Sequence, residues 1–252
     1  MTPLKGFKLT ALLLACLTCP SVIMAQAKTV PPIPLNKIAS LSVKGIEQPI
    51  EEDSLLTKTI KVELIGKSVF MAKKKQAVSD FLTAKKAVKK IKGKLKLPLQ
   101  KGTKTIADND VLDETHQVYD YLGTIDFLNV YVISGVYWED LDYKFISKAD
   151  GTETDFPYFP YISANKKNII SIYDDPYSNE SEFDLYKIVN KKPQSILSVT
   201  FKNWIPALEK ERMFWSADGN FYVPILYSDN YLDKTGNYST DYKYIRISLL
   251  KK

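Results

Sequence analysis

The sequence predicts a mainly β fold of antiparallel sheets, preceded by a lysine-rich amphipathic helix. From residue 95 onward, short segments rich in Tyr, Val and Ile alternate between apolar and polar positions, which is typical of strands. Turn residues such as Asp150-Gly151 and Asp218-Gly219 separate these segments. The helix is predicted from a different pattern, an apolar stripe of helical spacing among many lysines.

Residues 1–25 have the features of a secretory signal peptide. Two lysines precede a mostly apolar run over 9–17, and a small residue stands at Ala25, after which we expect cleavage. This predicts a periplasmic or secreted protein. The alternative is a lipoprotein anchored at Cys16, because the Leu-Leu-Ala-Cys that ends there resembles a lipobox. Both cysteines lie in this segment, so we expect no disulfide in the rest of the chain.

Residues 26–57 contain three prolines and are predicted to be a linker with one short strand at 38–43. The next segment, 58–104, is strongly basic, with fifteen lysines against two acidic residues, whereas 105–252 carries more acidic than basic residues. A helix is predicted over 77–92. Its apolar stripe is Ala77, Phe81, Ala84, Val88 and Ile91.

Two interpretations of this helix stay open. The lysines Lys85, Lys86, Lys89 and Lys90 could dock on an anionic membrane or cell-wall surface. Otherwise the stripe packs on the β domain and the lysines are simply solvated. Nucleic acid is not an expected partner, because the chain has only two arginines and few aromatic residues among the lysines.

Residues 105–252 are predicted to form the β domain, with a short hairpin just before it. The predicted strands are 95–97, 103–107, 116–122, 127–136, 142–147, 168–173, 183–189, 195–201, 221–226 and 242–249. Two segments, 161–173 and 214–227, share one pattern. Each begins with an aromatic residue, passes through Ser-Ala-Asn or Ser-Ala-Asp at a predicted turn, and continues into an apolar run. Each of these two similar segments therefore predicts a β-hairpin.

The turns at 163–167 and 216–220 resemble the Ser-Pro-Asp-Gly-Lys turn of secreted TolB-like or WD40-like β-propeller blades, and the chain more loosely resembles uncharacterised exported bacterial proteins built on such blades. Residues 148–153 resemble the hairpin that precedes this turn, and the similarity covers about 117–250. It implies blade-like sheets and a binding scaffold. Because 105–252 holds at most about three blades and a closed ring needs about four or more, a partial propeller or a distorted sandwich is expected.

All sixteen tyrosines lie between Tyr119 and Tyr244. Tyrosine and tryptophan supply amphipathic contact area at low entropic cost, so we expect a non-catalytic envelope protein that binds a protein or a glycan through loops. The alternative is that the tyrosines are ordinary strand residues that cover a half-exposed sheet. The candidate ligand contacts are Trp138, Tyr158, Tyr161, Tyr231 and Tyr238.

An enzymatic alternative rests on three short motifs. Residues 163–166 match S-x-x-K, 228–230 read S-D-N and 234–236 read K-T-G, as in serine acyl-enzymes of the β-lactamase type. That chemistry needs the serine at a helix start and the last two motifs on different elements, whereas this sequence predicts a turn and a single loop. His116 is the sole histidine, and no metal ion or cofactor is predicted.

Overall fold

The structure, a computed structural model, describes residues 42–43, 58–175, 180–201, 204–207, 213–227, 232, 234–237 and 239–250. The predicted signal peptide and nearly all of the predicted linker lie outside these residues. The described chain is mainly β, with four antiparallel sheets, none of them closed. This confirms the predicted β class.

One helix and sixteen strands are found in this part of the chain. They are β1 (Ser42–Val43), β2 (Ile60–Ile65), α1 (Lys67–Lys74), β3 (Lys94–Pro98), β4 (Thr103–Ala107), β5 (Gln117–Ile125), β6 (Val130–Tyr137), β7 (Leu141–Ser147), β8 (Glu153–Phe156), β9 (Tyr161–Ile162), β10 (Asn168–Asp175), β11 (Glu180–Val189), β12 (Lys192–Phe201), β13 (Trp204–Pro206), β14 (Phe214–Trp215), β15 (Phe221–Tyr227) and β16 (Lys243–Leu249). Every predicted strand of the β domain is present.

Three larger sheets are built mostly from strands that follow one another in sequence. Sheet I is the meander β5-β6-β7-β8, and sheet II is β9-β10-β11-β12 with β1 added beside β12. Sheet III has the order β13-β15-β16-β2, and β14 also pairs with β15. The fourth sheet is the hairpin β3-β4. Strands β1 and β2, from early in the chain, thus complete sheets formed by much later strands.

Buried aromatic and aliphatic side chains join the sheets to one another. The largest cluster combines Phe183 and Phe201 of sheet II with Trp204, Phe221 and Ile245 of sheet III. A second cluster joins sheet I to β9 and β10, and a third packs β3 of the short hairpin against sheet I. The lysine-rich part of the chain therefore contributes to the core.

The two similar segments, 161–173 and 214–227, form hairpins, as predicted. In the first, the Lys166 amide donates to the Ser163 carbonyl at 2.8 Å, and in the second the Gly219 amide donates to the Ser216 carbonyl at 2.9 Å. Lys166 and Gly219 both have positive φ, 57° and 82°. The turn chemistry thus identified both hairpins correctly.

The predicted helix over 77–92 is wrong. The one helix of the described chain lies earlier, at Lys67–Lys74, and 77–92 consists of turns, bends and isolated bridges. Phe81 and Ala84 adopt φ of 57° and 49°, which a right-handed helix cannot contain. The dense lysines also lack acidic partners one turn away, so a helix here would suffer like-charge repulsion.

Candidate functional site

A groove of about 390 Å³ opens where the three larger sheets meet. Its walls come from the β6–β7 turn, the β8–β9 connection, the end of β10, and the residues at and after β13. The lining residues are Val136, Tyr137, Trp138, Glu139, Asp140, Leu141, Tyr158, Ile172, Tyr173, Asp174, Pro206, Ala207 and Met213. A volume above roughly 300 Å³ lies in the range of small-ligand sites.

We call this cavity the Trp138 groove. Its floor and its rim differ in how much of each side chain is exposed. Ile172, Ala207 and Met213 are buried and apolar, so they form a dry floor. Trp138 and Val136 stand at the rim with 52% and 48% of their surface exposed. An exposed tryptophan above a dry apolar floor can contribute much contact area when a ligand covers it.

Tyrosine side chains line the walls. Tyr158 is half-buried, and its ring lies 6.1 Å from that of Tyr143 in an edge-on arrangement. Burial, reinforced by Tyr143 and the Asp174 carboxylate, raises the pKa of Tyr158 to about 12. Its hydroxyl therefore stays protonated at neutral pH, and it can both donate and accept a hydrogen bond.

Hydrogen bonds hold the β6–β7 turn that carries Trp138. The Tyr137 amide donates to the Asp140 carbonyl at 2.8 Å, and the Leu141 amide donates to the Asp140 side chain at 2.7 Å. The Tyr137 hydroxyl donates to the Asp142 carboxylate at 3.0 Å. Gly135 leaves room for this pair, since a Cβ there would lie 2.5 Å from an Asp142 oxygen. The turn is thus a fixed platform for Trp138.

A half-buried ion pair supports the same platform from sheet I. Lys144 Nζ lies 2.6 Å from Asp142 and 3.1 Å from Asp155, and only 13% of the Lys144 side chain is exposed. Burial disfavours the charge on Lys144, but its hydrogen bonds to these two carboxylates outweigh that cost and raise its pKa. The positive charge of Lys144 is therefore already neutralised beside the groove.

Three of the described lining residues carry carboxylates. Glu139 and Asp140 are exposed on the β6–β7 turn, and Asp174 is buried at the end of β10. No lysine or arginine is among the lining residues that the structure describes. Among the described residues, the groove therefore combines aromatic walls with three carboxylates, in a chain whose total charge is +6.

Of the five predicted ligand contacts, Trp138 and Tyr158 both line this groove. Tyr161 was predicted in a loop, but it begins strand β9 and is only 9% exposed. Its ring packs on Phe221 with centroids 5.2 Å apart, and its carbonyl accepts a hydrogen bond from Trp215 Nε1 at 2.8 Å. Tyr161 is thus a core residue. Tyr231 and Tyr238 lie outside the described residues.

Sequence reasoning missed Glu139, Asp140, Tyr173 and Asp174 as lining residues. Glu139 and Asp140 follow Trp138 directly, so their place beside it was available from the sequence. Tyr173 and Asp174 reach the groove because β10 ends there, and that depends on how sheets I and II pack. No local signal marks such a position.

The four candidate lysines are not equivalent. Lys85 Nζ lies 3.3 Å from Asp80, while Lys90 Nζ lies 2.9 Å from Asp108 and is also paired with Asp120. Burial opposes the charge of Lys90, but these two carboxylates outweigh it and raise its pKa. Lys86 and Lys89 are exposed, and neither forms an ion pair with a residue that the structure describes.

Segment 77–92 packs against the β sheets through its backbone. The Val78 amide donates to the Trp215 carbonyl at 2.8 Å, and Thr83 exchanges backbone hydrogen bonds with Thr124 at 2.9 and 2.8 Å. Gly123 allows this approach, because a Cβ there would lie 2.6 Å from the Thr83 carbonyl oxygen. The segment thus lies on the β sheets without forming a helix, and of the predicted stripe only Phe81 and Val88 pack on buried clusters, whereas Ala77, Ala84 and Ile91 are exposed.

The S-x-x-K motif does not have the geometry that an acyl-enzyme needs. Ser163 is 2% exposed, and its hydroxyl is within hydrogen-bond distance of Asn165 Oδ1 and the Asn168 backbone. Lys166 Nζ instead stands over the rings of Phe81 and Phe127, at 5.4 and 5.0 Å from their centroids. S-D-N at 228–230 lies outside the described residues. Ser163 and Lys166 are therefore parts of a structural turn.

Within the part of the chain that the structure describes, no group of three or more His, Cys, Asp and Glu side chains is arranged to hold a metal ion. In the same residues, no helix combines the length and the hydrophobicity that crossing a bilayer requires.

Comparison with known proteins assigns no family to this chain. No protein-family model matches it, no curated protein is similar to it, and no solved structure resembles it closely enough to count as a match.

Proposed function

We propose that this chain is an exported, envelope-associated binding protein without catalytic activity, and that it holds a protein or glycan ligand in the Trp138 groove. The observation that carries the proposal is the convergence of Trp138 and Tyr158 on one groove of about 390 Å³ with a dry apolar floor. Export is proposed from the sequence features of residues 1–25.

The surroundings of Trp138 support this role. Exposure of so large an apolar ring to water is unfavourable for the chain alone, yet half of the Trp138 side chain is in water on a turn that hydrogen bonds hold in place. Exposed aromatic anchors beside apolar pockets are typical of binding hot spots. The resemblance to TolB-like blades supports a scaffold of blade-like sheets, arranged as a partial propeller or a distorted sandwich, with its ligand at a junction of sheets.

The test is co-sedimentation of the protein with bacterial envelope fragments, comparing the parent with Trp138→Ala. The matched control is Leu112→Ala, which removes another exposed apolar side chain, 93% exposed and not part of the groove. We expect Trp138→Ala to reduce the pelleted fraction about tenfold, while Leu112→Ala leaves it unchanged. Equal pelleting of both variants, with circular dichroism like that of the parent, would contradict the proposal.

A second candidate function is docking on an anionic membrane or cell-wall surface. Lys86 and Lys89 favour it, because both are exposed and unpaired within the described chain, close to Ile91, which is 69% exposed. Deletion of 58–104 would not test this idea, since it would remove β2 from sheet III. The test is binding to phosphatidylglycerol vesicles by Lys86→Glu/Lys89→Glu, where a loss of salt-sensitive binding is expected.

A further inference from the structure

We propose that the outward face of the β3–β4 hairpin binds a linear polyanion, a chain of repeated phosphate groups. This surface, the hairpin face, consists of the exposed residues of the two strands, which are Lys94, Lys96, Pro98, Thr103, Thr105 and Ala107. The inference goes beyond the proposed function, because no residue of the hairpin lines the Trp138 groove. It shares an anionic partner with the second candidate function, but it concerns other residues and names the chemistry of the partner.

The alternation of side chains along β3 separates this face from the core. Leu95 and Leu97 are buried, at 1% and 0% exposure, and they belong to one cluster with Tyr131 and Ile133 of sheet I. Because successive side chains of a strand point to opposite sides, the other residues of β3 point away from sheet I and are exposed to water.

The hairpin forms an outer layer of the molecule. In strand β6, Tyr131 and Ile133 pack with the hairpin, whereas Val130 and Val132 belong to the cluster that joins sheet I to β9 and β10. Sheet I therefore has sheet II on one side and the hairpin on the other. The structure describes every residue from 58 to 175, so this region has no gap, and all six residues of the hairpin face are exposed.

Lysine is the only type of charged residue on the hairpin face. Lys94 and Lys96 form no ion pair with a residue that the structure describes. Lys92 and Lys101 add two exposed positive charges in the turns at the two ends of β3, and neither of them is paired with a described residue. Four lysines thus stand within one hairpin and its flanking turn.

The carboxylates at the margins of the hairpin already have cationic partners. Asp108, which follows β4, lies 2.9 Å from Lys90 Nζ and accepts a hydrogen bond from the Tyr119 amide. Glu153 of β8 lies 2.6 Å from Lys104 Nζ. These pairs engage other lysines, so they do not neutralise the charge of the hairpin face.

A chain of phosphate groups fits this pattern of donors. Residues two apart in a strand are about 6.6 Å apart, so Lys94 and Lys96 place two ammonium groups in a row along β3. Thr105 lies opposite Lys96 on the neighbouring strand, and Thr103 lies opposite Pro98, so two hydroxyl groups stand beside this row. Ammonium and hydroxyl groups are typical donors to phosphate oxygens.

A lipid bilayer is the main rival partner. Elements that lie in a membrane surface carry large apolar side chains that enter the headgroup region. The apolar members of the hairpin face are only Pro98 and Ala107, and Ile91, which is 69% exposed, is a single such side chain beside Lys94 at one end of the hairpin. Dense charge and hydroxyl groups with so little apolar surface favour a polymer chain over a bilayer.

Nucleic acid, another phosphate chain, fits the hairpin face less well. Proteins that bind single strands without sequence preference stack bases on aromatic side chains. The hairpin face has no aromatic residue and no arginine. Its donors suit the phosphates alone, so a polymer without bases is the better match.

The test measures binding of the full chain to long-chain inorganic polyphosphate by calorimetry. Phosphatidylglycerol vesicles and single-stranded oligodeoxythymidine are compared at equal phosphate concentration, and we expect polyphosphate to bind most tightly. If the four lysines each neutralise one phosphate, the affinity should fall roughly fiftyfold between about 50 and 200 mM salt, as counterion release predicts for a single-stranded polyanion.

The variant Lys94→Gln/Lys96→Gln removes two charges from the hairpin face and keeps side chains of similar length. The matched control, Lys74→Gln/Lys75→Gln, removes the same charge from two exposed lysines at the end of α1. We expect about tenfold weaker polyphosphate binding for the first variant, with about half the salt dependence, and unchanged binding for the control. Circular dichroism like that of the parent verifies that both variants are folded.

Each contrary outcome has its own meaning. Equal losses in the two variants would show that net charge alone attracts the polymer, and this result, or a parent that does not bind polyphosphate at low salt, would overturn the inference. Tighter binding of vesicles or of oligodeoxythymidine, lost in Lys94→Gln/Lys96→Gln, would assign the face to a bilayer or to nucleic acid and would overturn it too. The second candidate function fails separately, if Lys86→Glu/Lys89→Glu binds vesicles like the parent.

Discussion

The two similar hairpin turns contain equivalent serines whose side chains are bonded differently, and this difference predicts opposite effects of the same substitution. Both Ser163 and Ser216 are buried, at 2% and 0% exposure. The Ser163 hydroxyl accepts a hydrogen bond from the Asn168 amide at 3.0 Å and donates one to Asn165 Oδ1 at 2.8 Å. The Ser216 hydroxyl has no hydrogen-bond partner among the described residues.

Replacement by alanine removes these two hydroxyls at very different cost. Ser163→Ala loses two hydrogen bonds and leaves the Asn168 amide without its side-chain acceptor, so we expect a loss of about 2 kcal/mol in unfolding free energy. Ser216→Ala removes a buried hydroxyl that bonds nothing described, so we expect a change between about zero and a gain of 1 kcal/mol. The two variants are mutual controls, because they delete the same atom from the same type of turn.

Urea unfolding followed by tryptophan fluorescence measures both effects. We expect a lower midpoint for Ser163→Ala, an equal or higher one for Ser216→Ala, and unchanged slopes in both. In thermal unfolding, a loss of about 2 kcal/mol in a domain of this size lowers Tm by roughly 4–8 °C. If both variants lose the same stability, then the Ser216 hydroxyl has a partner and the reasoning is refuted.

Two further predictions concern the packing of segment 77–92 and the charge on the second turn. Gly123→Ala places a Cβ 2.6 Å from the Thr83 carbonyl, so we expect faster hydrogen exchange across 77–92 and a loss of about 2 kcal/mol; slow exchange like that of the parent would contradict it. Burial disfavours the Asp218 carboxylate, but hydrogen bonds including that from Lys73 outweigh this and lower its pKa from 3.8 to about 2. The stability from these contacts is therefore full above pH 4 or so and is lost as pH falls toward about 2, and Asp218→Asn should flatten that part of the urea-midpoint profile.

The strands of the β domain could be predicted from the sequence because their signals are local. Alternation of apolar and polar residues indicates strands such as β6 and β16, and the Ser-Ala-Asn and Ser-Ala-Asp motifs indicate the two hairpin turns. Strand β2, Ile60–Ile65, carries the same alternation, yet no strand was predicted in this part of the lysine-rich segment. Its partner β16 is far away in the sequence, so no local sequence pattern predicts the pairing of β2 with β16.

The predicted helix fails for a related reason. Apolar residues at helical spacing also occur in an irregular segment that contacts several sheets in turn, and here Phe81 and Val88 pack on different clusters while Ile91 is exposed. Periodicity cannot tell these cases apart.

The candidate site was predicted only where residue type and turn position sufficed. Trp138 lies in a turn between two strong strand signals, so its exposure could be expected. Tyr158 and Tyr161 are three residues apart in one aromatic and proline-rich stretch, yet the first lines the groove and the second is in the core. Which ring faces inward depends on the packing of β9 against β14, and that contact is made across sheets.

The pairing of β2 with β16 has a consequence for how the chain reaches its folded state. Arg246 Nε donates to Glu63 Oε2 at 3.1 Å across a sequence separation of 183 residues. Sheet I needs only neighbouring strands, so it can form early, whereas closing so long a loop carries an entropic cost before any contact repays it. Until β2 arrives, one edge of β16 presents unpaired amides and carbonyls to other chains. Aggregation during folding should therefore begin at this edge, and a chain that already holds β2 on β16 is protected from it.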